Sequence, residues 1–324
     1  MVRIQVSQLR ESAVSRLKRA GIGSEDAEVL VDHMLTADLW GRGSHGLSVR
    51  FPAILRQARL GNADRRPELV EETGGRVLVE GYNGFGYVGG RFCARTLIER
   101  CNRQGSACVA LRNTRHTGML GYYVDMAARE GVVALAFGNC SALMAPFGGK
   151  EALLGTNPIA FGFPAEPNPI VVDMATSALA YGEVMERERE GEPLPPDCAL
   201  DKAGEPTREP AGAREGALLP FGGHRGGALA VAIQLIAGAL TGSPALPEQG
   251  KGYGLFLQGY ERGAFTGPKA YDRALEEFAE AYLAVEPRED SELRLPGSQR
   301  YENLRRSRER GVEVTRELLE LLDL

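Results

Sequence analysis

Cysteine is scarce and poorly spaced for a framework: Cys93, Cys101, Cys108, Cys140 and Cys198 make an odd set of five without a C-x-x-C pair. That excludes a disulfide scaffold and the usual zinc spacings, and it fits reduced, mostly buried thiols. Long apolar runs are missing too. The longest, 228–240, is interrupted by Gln234 and falls short of the ~20 residues that cross a bilayer. Positive charge is in deficit, with 38 Lys and Arg against 43 Asp and Glu and a net charge of −5. A nucleic-acid partner is therefore not expected, since its phosphates call for clustered Lys and Arg. One or two arginines still suffice for a small carboxylate. The opening MVRIQVSQLRES enters an amphipathic pattern without the apolar segment of a signal peptide, so a cytoplasmic protein with no membrane partner is expected.

The 324 residues, 43% hydrophobic and 25% charged, have an ordinary globular composition with room for one large or two modest domains. The first 60 residues read as helices at 6–20, 25–40 with Ser24 as N-cap, and 47–60 closed by Gly61. From Arg76 short apolar strands alternate with helices: RVLVEGY, helix GGRFCARTLIERCNRQG, strand ACVALRN, helix 118–130, strand VVALAFGN. Residues 191–216, rich in Pro, Gly and charge, read as a long surface loop. Helix 228–240, strand YGLFLQ and helix 271–285 follow, and a charged helix over 301–324 closes the chain. Its stripe of Val312, Val314, Leu318, Leu319, Leu321 and Leu322 suits packing on the N-terminal helices or on a second subunit. The expected fold is α/β, with a body over 73–285 and a helical unit from 1–72 together with 286–324. There is no internal repeat.

Gly84, Gly86 and Gly89 in NGFGYVGG satisfy G-x-G-x-x-G between a strand and a helix, the setting of a Rossmann fingerprint. The next strand ends in Arg112 and Asn113 rather than in an acidic residue. The alternative is that these glycines only let a helix approach a strand closely.

Four histidines, His33, His45, His116 and His224, limit the search for a group titrating near neutrality. His33 lies inside a helical pattern and reads as structural. His45 lies in GRGSHGL, where flanking glycines could present its ring to a cleft, with Ser44 before it and Arg50 shortly after. Two readings stand open: an acid/base group beside a carboxylate-binding guanidinium, or a turn histidine capping the next helix. His116, in RNTRHTGMLGYY, precedes a helix start near Gly118, whose free N–H groups suit phosphate; a plain strand-to-helix turn is the alternative. Asp173 ends a strand, Thr176 or Ser177 starts a helix, and Glu183 falls within it, where a carboxylate could hold a histidine tautomer. His224 and Arg225 stand between glycines at another helix start.

Five motifs in order, SHGL at 44–47, RHTGMLGYY at 115–123, GTNPIAF at 155–161, VVDMATS at 171–177 and GGHRGGALAVAIQLIAGALTG at 222–242, make the chain resemble the malate/L-lactate dehydrogenase family of the non-Rossmann type. That family includes ureidoglycolate and sulfolactate dehydrogenases, 2,3-diketogulonate reductase and Δ1-piperideine-2-carboxylate reductase. The resemblance implies a non-Rossmann NAD(P)-binding body with a mixed sheet, so the glycine triplet reads as packing. It also implies hydride transfer between nicotinamide (NAD or NADP) and C2 of a small 2-oxo or 2-hydroxy acid, with no metal. His45 becomes the acid/base residue, assisted by Ser44 and by Glu183, which the imine-reducing branch would use in a relay. Arg50 would hold the substrate carboxylate and Thr156 would contact substrate. The cofactor would lie along His116, Thr117, Gly118, Met119 and Leu120, along Asp173, Met174 and Ala175, at His224 and Arg225, and at Pro296, Gly297 and Ser298. A homodimer is implied, with the terminal helices as contacts.

Three positions depart from the family pattern: Arg225 where lysine is usual, Arg50 one residue further from His45 than expected, and a shortened stretch at 259–268. Glu183, where the malate-type branch often has lysine, points to reduction of a cyclic ketimine as the alternative chemistry. The departures raise an inactive, ligand-binding homologue as a third possibility.

Overall fold

The computed structural model describes residues 2–62 and 65–324. The chain opens with β1 (Val2–Ile4), α1 (Val6–Arg19), α2 (Ser24–Leu39) and α3 (Leu47–Gln57), then continues with β2 (Glu68–Thr73), β3 (Arg76–Glu80), α4 (Gly86–Gln104), β4 (Ser106–Thr114), α5 (Leu120–Arg129) and β5 (Val132–Gly138). The middle holds β6 (Ile159–Phe163), β7 (Ile170–Met174), α6 (Tyr181–Glu190), β8 (Ala199–Leu200), α7 (Pro210–Glu215), β9 (Ala217–Leu218) and α8 (His224–Ala237). The last elements are β10 (Tyr253–Glu261), α9 (Pro268–Leu283), α10 (Ser298–Arg310), β11 (Val312–Val314) and α11 (Arg316–Leu322).

Seven strands form one sheet in the order β2-β3-β4-β10-β5-β6-β7. It is parallel between β3 and β4 and antiparallel at its other pairs, the mixed sheet that was expected. Period-two alternation turns Val132, Ala134 and Ala136 of β5 inward, where Cys93, Ala94 and Leu97 of α4 and Tyr123, Val124 and Ala127 of α5 close over them. Burying a side chain such as Leu97, 1% exposed, contributes about 1.5–3 kcal/mol. The glycine triplet serves this packing. A Cβ on Gly86 would fall 2.3 Å from the Arg115 carbonyl oxygen and 2.4 Å from that of His116, and one on Gly89 would fall 2.9 Å from Leu111.

A second core joins the two ends of the chain: Leu9, Leu17, Leu30, Met34, Leu47 and Phe51 pack with Val312, Val314, Leu318 and Leu322. The closing segment is therefore not one helix. Gly311, at φ +83°, ends α10, because a left-handed residue cannot continue the helix. Residues 312–314 then pair antiparallel with 2–4, so the terminal apolar stripe is used within the chain.

Other boundaries shift as well. Ser24 is the first residue of α2 and Gly23 its cap. The helix after β7 begins at Tyr181 rather than at 176 or 177, because Thr176 donates to the Thr156 carbonyl and Ala178 to that of Leu219, which keeps the strand end extended. The 191–216 stretch carries order of its own: β8 pairs with β9, and Leu194 and Cys198 are buried with Leu218.

Candidate active site

The turn that carries His45 is strapped between two helices. After α2, Gly43–His45 form a single 3₁₀ turn, Gly46 is extended and α3 begins. Asp38, in the last turn of α2, accepts the Leu47 N–H at 2.9 Å, and a Cβ on Gly46 would fall 1.7 Å from its Oδ1. Only glycine fits there, and burial pushes the Asp38 carboxyl up to about 7. Because Asp38 supplies the cap, His45 does not. Its Nδ1 instead lies 3.1 Å from Ser44 Oγ, while no described residue bonds its Nε2.

Despite its one-residue shift, Arg50 points back at this turn: its Nε donates to the Ser44 carbonyl at 2.9 Å. Burial, then the charges of Arg50 and Arg42, lower the His45 pKa to about 3. The ring is thus neutral across the physiological range. His116 joins it, with ring centroids 5.9 Å apart and planes at 27°. Its Nδ1 accepts the Gly118 N–H at 3.2 Å, and burial together with Arg50 holds its pKa far below the usual value. Thr156 Oγ1 stands 3.9 Å from Cys140 Sγ, whose thiol is pushed up by burial against bonds from Thr156 and Asn157 and the charge of Arg50, which lower it.

Glu183 reaches the neighbourhood but not the histidine. A Cβ on Gly182 would fall 2.3 Å from Ser44 Cβ, so α6 begins against the turn, yet the Glu183 carboxylate bonds Arg187 Nε and Nη2, each at 3.2 Å. Among the described residues nothing ties it to Ser44 or His45.

The start of α5 differs from the free phosphate cradle expected there. The Gly118 N–H is taken by His116 Nδ1, that of Met119 by His33 Nε2 at 2.9 Å and that of Gly121 by Asp173 Oδ2 at 2.8 Å; the Thr117 carbonyl accepts the Tyr123 hydroxyl. Asp173, its carboxyl pushed up by burial, therefore caps α5, while Met174 beside it is 41% exposed.

The start of α8 is open. His224 and Arg225 are exposed, Gly222 and Gly223 sit at φ +55° and +61°, and nothing lies within 4 Å of a Cβ on Gly222. This turn is pinned to the strand-end segment through the Phe221 N–H on the Thr176 carbonyl at 3.0 Å. The segment 296–298 docks on the same strand. The Val171 N–H donates to the Pro296 carbonyl at 3.3 Å, and Gly297, at φ +84°, would place a Cβ 2.7 Å from the Val171 oxygen. Arg300 seals the contact, donating to that oxygen at 3.2 Å and lying 4.6 Å over the Trp40 ring.

A cavity of about 680 Å³ lies between the 164–170 hairpin, α9 and α10. It borders Pro296 and Ser298 but is lined by none of His45, Arg50, His116 or Thr156. Sequence reasoning missed Asp38, which only the Leu47 N–H it meets in space reveals; His33, read as structural, proves to be a buried acceptor for the Met119 N–H.

Comparison with known proteins gives one answer. The model of the family described as malate/L-lactate dehydrogenase matches residues 4–323. The chain is 36% identical over 311 residues to an L-sulfolactate dehydrogenase of Methanocaldococcus jannaschii, covering 93% of this chain and 90% of that protein. It is 34% identical to a Δ1-pyrroline-2-carboxylate/Δ1-piperideine-2-carboxylate reductase of Pseudomonas aeruginosa, over 100% of both. Among solved structures, the sulfolactate dehydrogenase of M. jannaschii superposes with a TM-score of 0.89 at 32% identity, covering 99% and 95% of the two chains. The Δ1-piperideine-2-carboxylate reductase of Pseudomonas syringae gives 0.87 at 31%, covering 99% of each.

Proposed function

Because the chain belongs to the malate/L-lactate dehydrogenase family, we propose that it is a nicotinamide-dependent oxidoreductase acting at C2 of a small 2-oxo or 2-hydroxy carboxylate, with His45 moving the proton. The observation that carries this reading is the His45 Nε2, free of any described partner, on a turn that Arg50 backs through the Ser44 carbonyl and beside the His116 ring.

For Nε2 to act as a base, the Nδ1–H must donate to Ser44 Oγ, which fixes the tautomer. In oxidation, neutral His45 takes the hydroxyl proton as C2 becomes a carbonyl. In reduction, protonated His45 gives that proton to the carbonyl oxygen and is reprotonated from solvent. Arg50 spends its Nε on Ser44 and keeps its terminal nitrogens for the substrate carboxylate. An anion on Arg50 offsets the charge that depresses His45, so substrate binding itself favours the protonated form that reduction needs. The nicotinamide cofactor, when bound, supplies or accepts the hydride. The exposed turn at 222–225, where no described residue takes the N–H groups of 222–224 and the Arg225 guanidinium adds a positive charge, fits its phosphates better than the occupied start of α5 does, with 173–175 and 296–298 as flanking contacts.

A second reading, reduction of a cyclic ketimine, is supported by the 34% identical reductase; the pairing of Glu183 with Arg187 favours the oxo acid. Steady-state rates on pyruvate, oxaloacetate, sulfopyruvate and Δ1-piperideine-2-carboxylate, each with NADH and NADPH, separate the two. An oxo acid is expected to give the highest kcat/KM. A preference for the imine reverses the order, and tight cofactor binding without turnover on any of them marks an inactive homologue.

The same proposal includes a cytoplasmic setting and a homodimer. The terminal helices are spent inside the chain, whereas α8 and the turn after it present Val231, Leu235 and Leu240 at 44%, 52% and 66% exposure. An uncharged apolar face of this kind suits a self-complementary contact. Sedimentation of the wild type as a dimer and of Leu235→Glu as a monomer is expected, and a monomeric wild type contradicts the assignment.

A further inference from the structure

We propose that His33 is a positioning residue for the active site: by accepting the Met119 N–H it holds the loop from His116 to Leu120 and so sets the His116 ring against His45. The proposal rests on reading the surroundings of His45 as the reaction site.

His33 has no solvent exposure and lies on α2, its ring 4.8 Å from Tyr87, 4.4 Å from Tyr122 and 5.5 Å from Tyr123. The Met119 N–H reaches its Nε2 at 2.9 Å, so the neutral ring carries its proton on Nδ1. That Nδ1 is buried with no described partner. An orphaned buried donor is a cost that a leucine or phenylalanine of similar size would not incur. The histidine is therefore explained by the bond it makes at its other nitrogen rather than by packing. Burial, which drives its pKa down to about 3, keeps that nitrogen free to accept.

The loop rests directly on this ring. Gly118 has φ +76°, and a Cβ there would fall 2.3 Å from His33 Nε2 and 2.7 Å from Tyr87 Cε1. One residue away the Gly118 N–H holds His116 Nδ1, so the backbone that His33 fixes also orients the His116 ring, which stands 5.9 Å from that of His45. On the His45 side Asp38, also on α2, accepts the Leu47 N–H at 2.9 Å. One helix thereby anchors both histidine-bearing turns and fixes the gap between them. Asp32, bonded to Tyr122 at 2.6 Å and to Arg91 at 2.7 Å, keeps Tyr122 against the ring.

The test compares His33→Leu, which cannot accept a hydrogen bond, with His33→Gln, whose side-chain oxygen can take over from Nε2. Amide hydrogen exchange of 116–121 is read by mass spectrometry, and kcat and KM are read separately on the best 2-oxo acid. In His33→Leu, exchange in that segment is expected to rise at least about tenfold. Its kcat is expected to fall roughly 10- to 100-fold, as for a misplaced reacting group, with KM nearly unchanged; His33→Gln restores both. A folded His33→Leu with wild-type exchange and kcat overturns the proposal, as does a His33→Gln as impaired as the leucine variant. If His33→Leu does not fold, His33→Asn, too short to reach Met119, supplies the same contrast with His33→Gln. Exchange does not depend on turnover, so an enzyme inactive on every 2-oxo acid and imine would defeat the proposed reaction while this readout still decides the role of His33.

Discussion

Replacing His45 by alanine is expected to lower kcat on a 2-oxo acid by about 10²- to 10⁴-fold, the usual contribution of a positioned acid or base, while cofactor affinity stays close to wild type. The second half of the expectation follows from the site: the cationic turn at 222–225 is pinned to the end of β7, on a different element from the 43–45 turn. The pH profile gives a sharper check. With its pKa lowered to about 3 by burial, Arg50 and Arg42, free-enzyme His45 is already the neutral base throughout the working range. In the oxidation direction kcat/KM should therefore be flat from about pH 5 to 8, without the inflection near 6.5 of an ordinary histidine. In reduction the protonated form is needed, so kcat/KM should fall as pH rises through the same range. Turnover of His45→Ala within about threefold of wild type would remove His45 from the mechanism.

Arg50→Met should act on both substrate affinity and proton transfer. Losing a charge-assisted anchor for a buried carboxylate costs about 2–5 kcal/mol, roughly 30- to 5,000-fold in kcat/KM, much of it through KM. The same change removes a positive charge that depresses His45. The His45 pKa then moves upward, with burial, the larger cause, still holding it below the ordinary value, so the acidic limb of the oxidation profile shifts toward neutrality. Arg50→Lys keeps the charge but loses the planar fork, so it should retain the wild-type profile while still raising KM. A parallel loss in both variants with no change in profile would mean that Arg50 holds the turn through Ser44 and does not touch substrate.

Much of this architecture was legible along the chain because it rests on local chemistry. The period-two strands, the helix breaks at Gly21 and Gly105 and the open glycines before His224 are encoded within a few residues of where they act. The order of five short motifs was enough to read the mixed sheet and the discounted glycine fingerprint. The errors fell where a distant partner decided the outcome. Residues 312–314 become a strand because β1 is there to pair with them. The helix expected at 176 is postponed to Tyr181 because Thr156 and Leu219 take the intervening N–H groups. Glu183, a relay candidate by its place in the sequence, pairs locally with Arg187 one helical turn along.

The feature on which the chemistry turns shows the same division. Sequence alone determined that an imidazole, a hydroxyl and a guanidinium share a glycine-flanked turn, because their types and spacing are covalent facts. It could not say whether His45 caps the next helix. That choice needed Asp38, nine residues before Leu47, to occupy the N–H that His45 would otherwise cap. Only the packing of the turn between β4 and α5 brings the His116 ring within 5.9 Å of that of His45. Hydrogen-bond valence explains the difference: each backbone N–H takes its best-placed acceptor, and which acceptor that is depends on the packing of elements far apart in the chain.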